Sequence, residues 1–251
     1  MLQKTGKETE KMIKINLQLF GGRGAGSGSK RLPTVKPGGG GGNGNGKWSN
    51  TPNVGQPDTL KEALGTKGKP MSVYEAVRGA NPYYDGSYKE FSENCQRAVI
   101  ATEARMRGYN VTAQPTYKGD KLPNTAYVNP KTGVSSAFWQ GAFKGAKQEK
   151  TPTQASVESK MKEYGNGSRG ILQVQWKGGG GHVLNVVNKG GKIQYIDGQI
   201  GAKYNGKELF SKIKSSRTQL TRTDNLKFSD RAKKSVEVAG SRTNSKKVVA
   251  L

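Results

Sequence analysis

Residues 181–199 read GHVLNVVNKGGKIQYIDGQ, and the fold turns on how this stretch must double back. Two runs of strand-forming residues, His182 to Val187 and Lys192 to Asp197, flank Asn188-Lys189-Gly190-Gly191. That linker is a tight-turn sequence, because glycine tolerates positive φ. An antiparallel hairpin is predicted. With Lys189 and Gly190 as the loop residues, Asn188 faces Gly191 and His182 faces Asp197. Opposed residues of an antiparallel pair point to one face with Cβ atoms about 4.5–5.5 Å apart, so turn chemistry alone sets the histidine beside a carboxylate. A three-residue loop would shift the register by one and separate them. A solvated cross-strand polar pair is the plainer outcome of the same register.

Outward from the hairpin, Gly170 to Trp176 forms a preceding strand across a glycine-rich link at 177–181, and Leu220 to Phe228 offers a following one. Upstream lies the strongest helix, Asn94 to Arg107. Ser92 or Asn94 caps its start, Arg105 and Arg107 fill its last turn, and Gly108 stands where a left-handed residue is wanted. Cys95, Val99, Thr102 and Met106 recur at helical spacing, which puts Cys95 in the first turn on the inward face. Shorter helices are expected at Thr59–Leu64, at Ser72–Arg78 with a Ser72/Glu75 capping box, at Ser136–Phe143 and at Gln154–Tyr164. Tyr109 to Ala113 reads as a short strand, and most of Pro115 to Lys150 as loop. A helix followed by an antiparallel meander is an α+β order rather than an alternating parallel one.

Only 32% of the 251 residues are hydrophobic and 36 are glycine, so the whole chain cannot pack as one globule. Residues 1–55 read as a flexible, Gly-rich basic arm, 56–229 as the folded domain and 230–251 as a basic C-terminal tail. The Gly-x-Gly spacings in the arm precede no helix that would present its N-terminus to a phosphate, so they are not a phosphate loop. Met12 to Phe20 (MIKINLQLF) alternates apolar and polar residues, as a short strand or docking segment does, not as a signal-peptide core does. No apolar run reaches the eighteen or so residues that span a bilayer. The formal charge is +24, which favours polyanionic contacts: non-specific DNA, an acidic protein or a membrane surface.

The chain holds one Cys and one His, which excludes an internal disulfide and a zinc site of the usual ligand set. One of the few active sites this leaves is nucleophilic catalysis by a Cys–His pair, and composition alone favours the plainer reading that both residues are incidental. A helix N-terminus favours a thiolate, an imidazole can take the thiol proton, and a carboxylate on the other ring nitrogen fixes its tautomer. Cys95, His182 and Asp197 are the candidates for nucleophile, base and orienting acid. The Cys95 amide N–H is a natural oxyanion donor, with Asn94 or Gln199 as the second. The plainer reading of Cys95 is a small buried helix residue. No cofactor or metal is expected.

These residues resemble a known family. Asn81-Pro82, Asn94-Cys95-Gln96-Arg97, Glu103, Arg107-Gly108-Tyr109, Gly167-Ser168-Arg169, Trp176, Gly181-His182-Val183, Asn185, Asn188 and Asp197-Gly198-Gln199 are similar, in order, to the papain-fold toxin domain. The likeness covers about residues 70–228. It implies a papain-like cysteine fold, a helix carrying the Cys packed on an antiparallel sheet, with disordered basic tails. It also implies a Cys95–His182–Asp197 triad that deamidates a glutamine side chain of a target protein. A cysteine protease would use the same residues, and a fold kept only as a scaffold remains an alternative. Asn16 to Ser29 (NLQLFGGRGAGSGS) resembles the opening of phage minor head proteins, which implies a virion or bacterial-host cytoplasmic location and capsid, portal or DNA contacts through the basic arms.

Overall fold

A computed structural model describes residues 31–37, 46–48, 55–118, 120 and 137–241. The expected segment at Met12–Phe20, the five-glycine run at 38–42, most of the loop after Pro115 and residues 242–251 lie outside the described residues. In chain order the strands are β1 (Thr34–Val35), β2 (Val111–Ala113), β3 (Glu149–Lys150), β4 (Arg169–Gln175), β5 (Gly181–Lys189), β6 (Lys192–Asp197), β7 (Ala202–Tyr204), β8 (Gln219–Arg222) and β9 (Val236–Val238). The α-helices are α1 (Leu60–Leu64), α2 (Val73–Ala80), α3 (Lys89–Ser92), α4 (Cys95–Met106), α5 (Gln154–Glu163) and α6 (Gly206–Lys212).

Seven strands form one sheet in the order β1-β7-β6-β5-β4-β8-β3, antiparallel except where β1 lies parallel to β7. Both faces are covered, so nearly every residue of β4 and β5 is buried, the polar ones among them included. Ile171 and Val183 turn to one side, into a cluster with Val99, Ile100 and Trp139. Leu172, Val174, Leu184 and Val186 turn to the other, against Val157 and Met161 of α5 and Leu209 of α6. Alternation along each strand thus feeds two cores rather than one core and solvent. The mixed order of helices and a large sheet is α+β.

The hairpin forms, with a corrected register. Lys189 pairs with Lys192 and Asn185 with Ile196. The turn residues are therefore Gly190 and Gly191, both at positive φ (61° and 80°). A two-residue turn needing positive φ twice goes to the glycine pair and leaves Lys189 in the strand. Asn188 Oδ1 closes the turn by accepting the Gly191 N–H at 2.9 Å. Asp197 is then two places away from the position opposite His182. A slip of two preserves the face, so His182 and Asp197 remain on one side as diagonal neighbours.

Three helices carry reciprocal caps at their N-termini, of which the sequence reading named the one at Ser72/Glu75. Thr59/Glu62, Ser72/Glu75 and Thr153/Ser156 form reciprocal capping pairs at α1, α2 and α5. The central helix differs: α4 has no side-chain cap, and all twelve of its residues are buried. Its polar residues inside are matched by partners both near and far along the chain. Glu103 accepts from Arg169 Nε at 3.0 Å and Arg107 Nε at 2.7 Å, and Arg105 donates to the Val111 carbonyl at 3.0 Å. The expected helix at Ser136–Phe143 is a 3₁₀ segment, Phe138–Ala142.

The C-terminal boundary also moves. Residues 230–241 are folded, not tail: Asp230–Lys234 forms a 3₁₀ turn, and β9 pairs with β2 through Val111–Val238 and Ala113–Val236. Ala232 and Val236 are fully buried. Two well-placed apolar residues outweigh the basic composition around them. At the other end, Leu32 is buried with Val187 and Ile196, so part of the expected arm is core.

Candidate active site

His182 is the second residue of β5 and Asp197 closes β6, so both sit at the end of the hairpin away from its turn. Both are buried, and His182 Nε2 lies 2.7 Å from Asp197 Oδ2. The carboxylate has two further donors. The Gln199 backbone N–H donates to Oδ1 and the Tyr204 hydroxyl donates to Oδ2, each at 2.9 Å. Three bonds on two oxygens fix its plane. Trp176 stacks on the imidazole at 5.8 Å and 22° between planes.

Electrostatics follow from this geometry. Burial opposes a charge on His182, but the Asp197 carboxylate outweighs it by charge and by hydrogen bond. Cys95 acts in the same direction, and together they push the imidazole up to about 10. Burial likewise works against a charged Asp197. The His182 charge, its bond, the Tyr204 hydroxyl and the Gln199 N–H hold the carboxyl below its usual range. The pair is therefore an imidazolium–carboxylate at neutral pH.

Cys95 is the first residue of α4 and, at 8% exposed against less than 3% for His182 and Asp197, the least deeply buried of the three residues. It is close enough to raise the proton affinity of the imidazole. His182 Nδ1 nevertheless has no hydrogen-bond partner of normal geometry among the described residues. The thiol reaches the ring without a closed bond, as nucleophile–base pairs often do before substrate binds. Nε2 is committed to Asp197, which leaves Nδ1 as the nitrogen that can exchange a proton with sulfur.

What holds Cys95 to this place is a buried amide cluster. Asn94 Nδ2 donates to Asn81 Oδ1 at 3.0 Å and to the Gln114 carbonyl at 3.3 Å. Its Oδ1 accepts from Asn81 Nδ2 and Gln199 Nε2, both at 3.2 Å. Asn81 also donates to the carbonyls of Phe91 and Gln199, at 2.8 and 2.9 Å. The residue before the cysteine is thus tied to the loop after Asp197. Both Asn94 amide hydrogens are engaged, so its side chain is a tie between elements. That use also explains the missing helix cap. On Gln199, the Asn94 bond occupies one of the two amide hydrogens.

Gly198 makes the close approach possible. A Cβ there would stand 2.0 Å from Thr102 Oγ1 on α4 and 3.0 Å from Ala80 Cβ on α2. The Asp197 loop lies directly on the helix that carries Cys95. Tyr84, between α2 and α3, is 42% exposed; its phenol is raised by burial and then by the Asp197 charge, which places it at the rim. Tyr204, Trp176, Asn81 and Tyr84 were not singled out as site residues from the sequence. For Asn81 a signal existed in the Asn-Pro break; for Tyr204 the only one was its position after Asp197.

Among the described residues no cluster of His, Cys, Asp and Glu suits a metal ion, and no helix is long and apolar enough to cross a membrane. Residues 93–202 match the family model described as papain fold toxin 1, glutamine deamidase. The matched segment runs from just before Cys95 to just past Asp197. No curated protein and no solved structure matches the chain.

Proposed function

Taking residues 93–202 as a domain of the papain-fold toxin glutamine deamidase family, we propose that this protein hydrolyses glutamine side-chain amides of a target protein through Cys95, His182 and Asp197. The observation that carries the reading is the buried His182–Asp197 bond beside the lone thiol. Cys95 Sγ, its proton transferred to His182 Nδ1, attacks the amide carbon of the substrate side chain. The carbonyl electrons move to oxygen, and the resulting oxyanion accepts from the Cys95 backbone N–H, with Gln199 Nε2 as second donor. Collapse of this intermediate expels ammonia, which takes its proton from the imidazolium. Water then gives a proton to His182, attacks the thioester and releases glutamate with the thiol restored. Asp197 stays ionised throughout and steadies the imidazolium.

Protease chemistry differs only in the leaving amine, and the family match supports deamidation. The test is ammonia release from glutamine-rich protein substrates such as casein, with mass spectrometry to locate a +1 Da change at Gln. Release by the wild type and its loss in Cys95→Ala is expected. Equal release by both proteins, or peptide-bond cleavage without the mass change, overturns the reading.

A second reading rests on charge. At +24 the chain is suited to contact packaged DNA or acidic capsid surfaces, with the enzyme carried in a phage particle. Binding to duplex DNA whose affinity falls steeply between about 50 and 200 mM salt supports it. Salt-independent or undetectable binding argues against it.

A further inference from the structure

We propose that Tyr204 is a positioning residue for the same reaction, a fourth member of the chain Cys95–His182–Asp197–Tyr204. This rests on the proposed hydrolase reading. Its hydroxyl donates at 2.9 Å to Oδ2, the same oxygen that holds His182 Nε2 at 2.7 Å. With the Gln199 N–H on Oδ1, the carboxylate cannot rotate without breaking a bond. Tyr204 is 8% exposed, and burial and then the Asp197 charge raise its phenol far above the ordinary range. It therefore remains a donor through the acid and neutral range.

Its placement comes from the sheet rather than from the hairpin. Tyr204 ends β7, paired with Tyr195 of β6 on one side and with Val35 of β1 on the other. Its ring meets the edge of Trp176 at 6.4 Å, and Trp176 stacks on His182. The phenol, from the end of β7, and the indole, from the residue just after β4, flank the buried His182–Asp197 bond. The charged and titratable groups acting on Asp197 and Tyr204 are His182 on β5, Cys95 on α4 and Tyr84 on the α2–α3 loop.

Because Tyr204 helps keep Asp197 ionised, its loss raises the carboxyl and narrows the pH range of the imidazolium–carboxylate pair from the acid side. The test is the pH–rate profile of iodoacetamide alkylation of Cys95, the only thiol in the chain, for the full-length wild type, Tyr204→Phe, Asp197→Ala and the double variant. For Tyr204→Phe the acid limb should move to higher pH, with a rate on that limb below the wild type by up to about tenfold, the scale of one bond to a charged group. Adding Tyr204→Phe to Asp197→Ala should change the profile no further, because the hydroxyl acts through the carboxylate. A limb that stays in place or moves to lower pH overturns the proposal, as does an equal additional loss in the double variant. Thermal unfolding of each variant separates this from a general loss of fold: a shifted limb in a protein with wild-type melting supports positioning, and a lower melting temperature with an unshifted limb opposes it. Failure of the hydrolase reading looks different, since the wild-type thiol itself would then show no reactivity below the ordinary thiol range.

Discussion

A buried histidine beside a buried carboxylate has consequences for stability as well as for chemistry. The folded chain holds the His182 proton more tightly than the unfolded chain does, with the imidazole at about 10 against an ordinary 6.5. Its contribution to stability is therefore complete below pH 6.5 and is lost as pH rises toward 10. Asp197 is displaced the other way, below its ordinary 3.8, so its contribution is present above that value and lost as pH falls further. The wild type should lose stability to denaturant as pH rises from 6.5 toward 10, by on the order of 1 kcal/mol per pH unit at most, on account of this one proton. Asp197→Ala should flatten that difference; an unchanged slope would contradict the pairing. Asn94→Ala is a second residue-scale case. It strips partners from Asn81 and Gln199 and should cost about 1–3 kcal/mol of stability while slowing Cys95 alkylation. A full alkylation rate would show that the amide cluster does not place the thiol.

At the scale of elements, the contact between the Asp197 loop and α4 is the tightest in the site. Gly198→Ala forces a Cβ into Thr102 and Ala80, and a cost of about 1–3 kcal/mol is expected in thermal or denaturant unfolding. Thr102→Ala in the same chain should restore part of it. Glu103 joins α4 to β4 through Arg169, and Glu103→Ala should cost about 3–5 kcal/mol because two guanidinium groups lose their counter-charge. Much of this level was legible in the sequence: the Ser72/Glu75 capping box, the helix at Cys95, the hairpin and the shared face of His182 and Asp197 all follow from local rules. The register did not, because Lys189-Gly190 and Gly190-Gly191 both satisfy turn chemistry, and only the second spares a lysine positive φ. Nor was the full burial of α4 legible. Arg97 and Glu103 are buried beside Pro115 and Arg169, and periodicity carries no record of residues that far along the chain.

At the scale of the molecule, composition overstated how much of the C-terminal end is tail. Ala232 and Val236 lie fully buried, with Ala232 in the turn before β9 and Val236 opposite Ala113 of β2, against α1 and α4. A chain ending at Ser229 should therefore lose its cooperative unfolding transition or melt far lower, a change of several kcal/mol for two buried side chains and a strand pairing. Retention of the wild-type transition would return residues 230–238 to the tail. The site depends on this scale too. Cys95 comes from a helix on one side of the sheet, His182 and Asp197 from adjacent strands, and Tyr204 from a strand braced by β1. No local reading of the sequence joins those four.

Because the chain contains a single histidine, one spectroscopic titration addresses the assembled site without assignment ambiguity. With ¹⁵N-labelled imidazole followed from pH 5 to 11, the ring should remain doubly protonated well past neutrality and titrate at about 10, and Asp197→Ala should bring it down. A wild-type ring that titrates near the ordinary 6.5 would contradict the buried Cys95–His182–Asp197 arrangement.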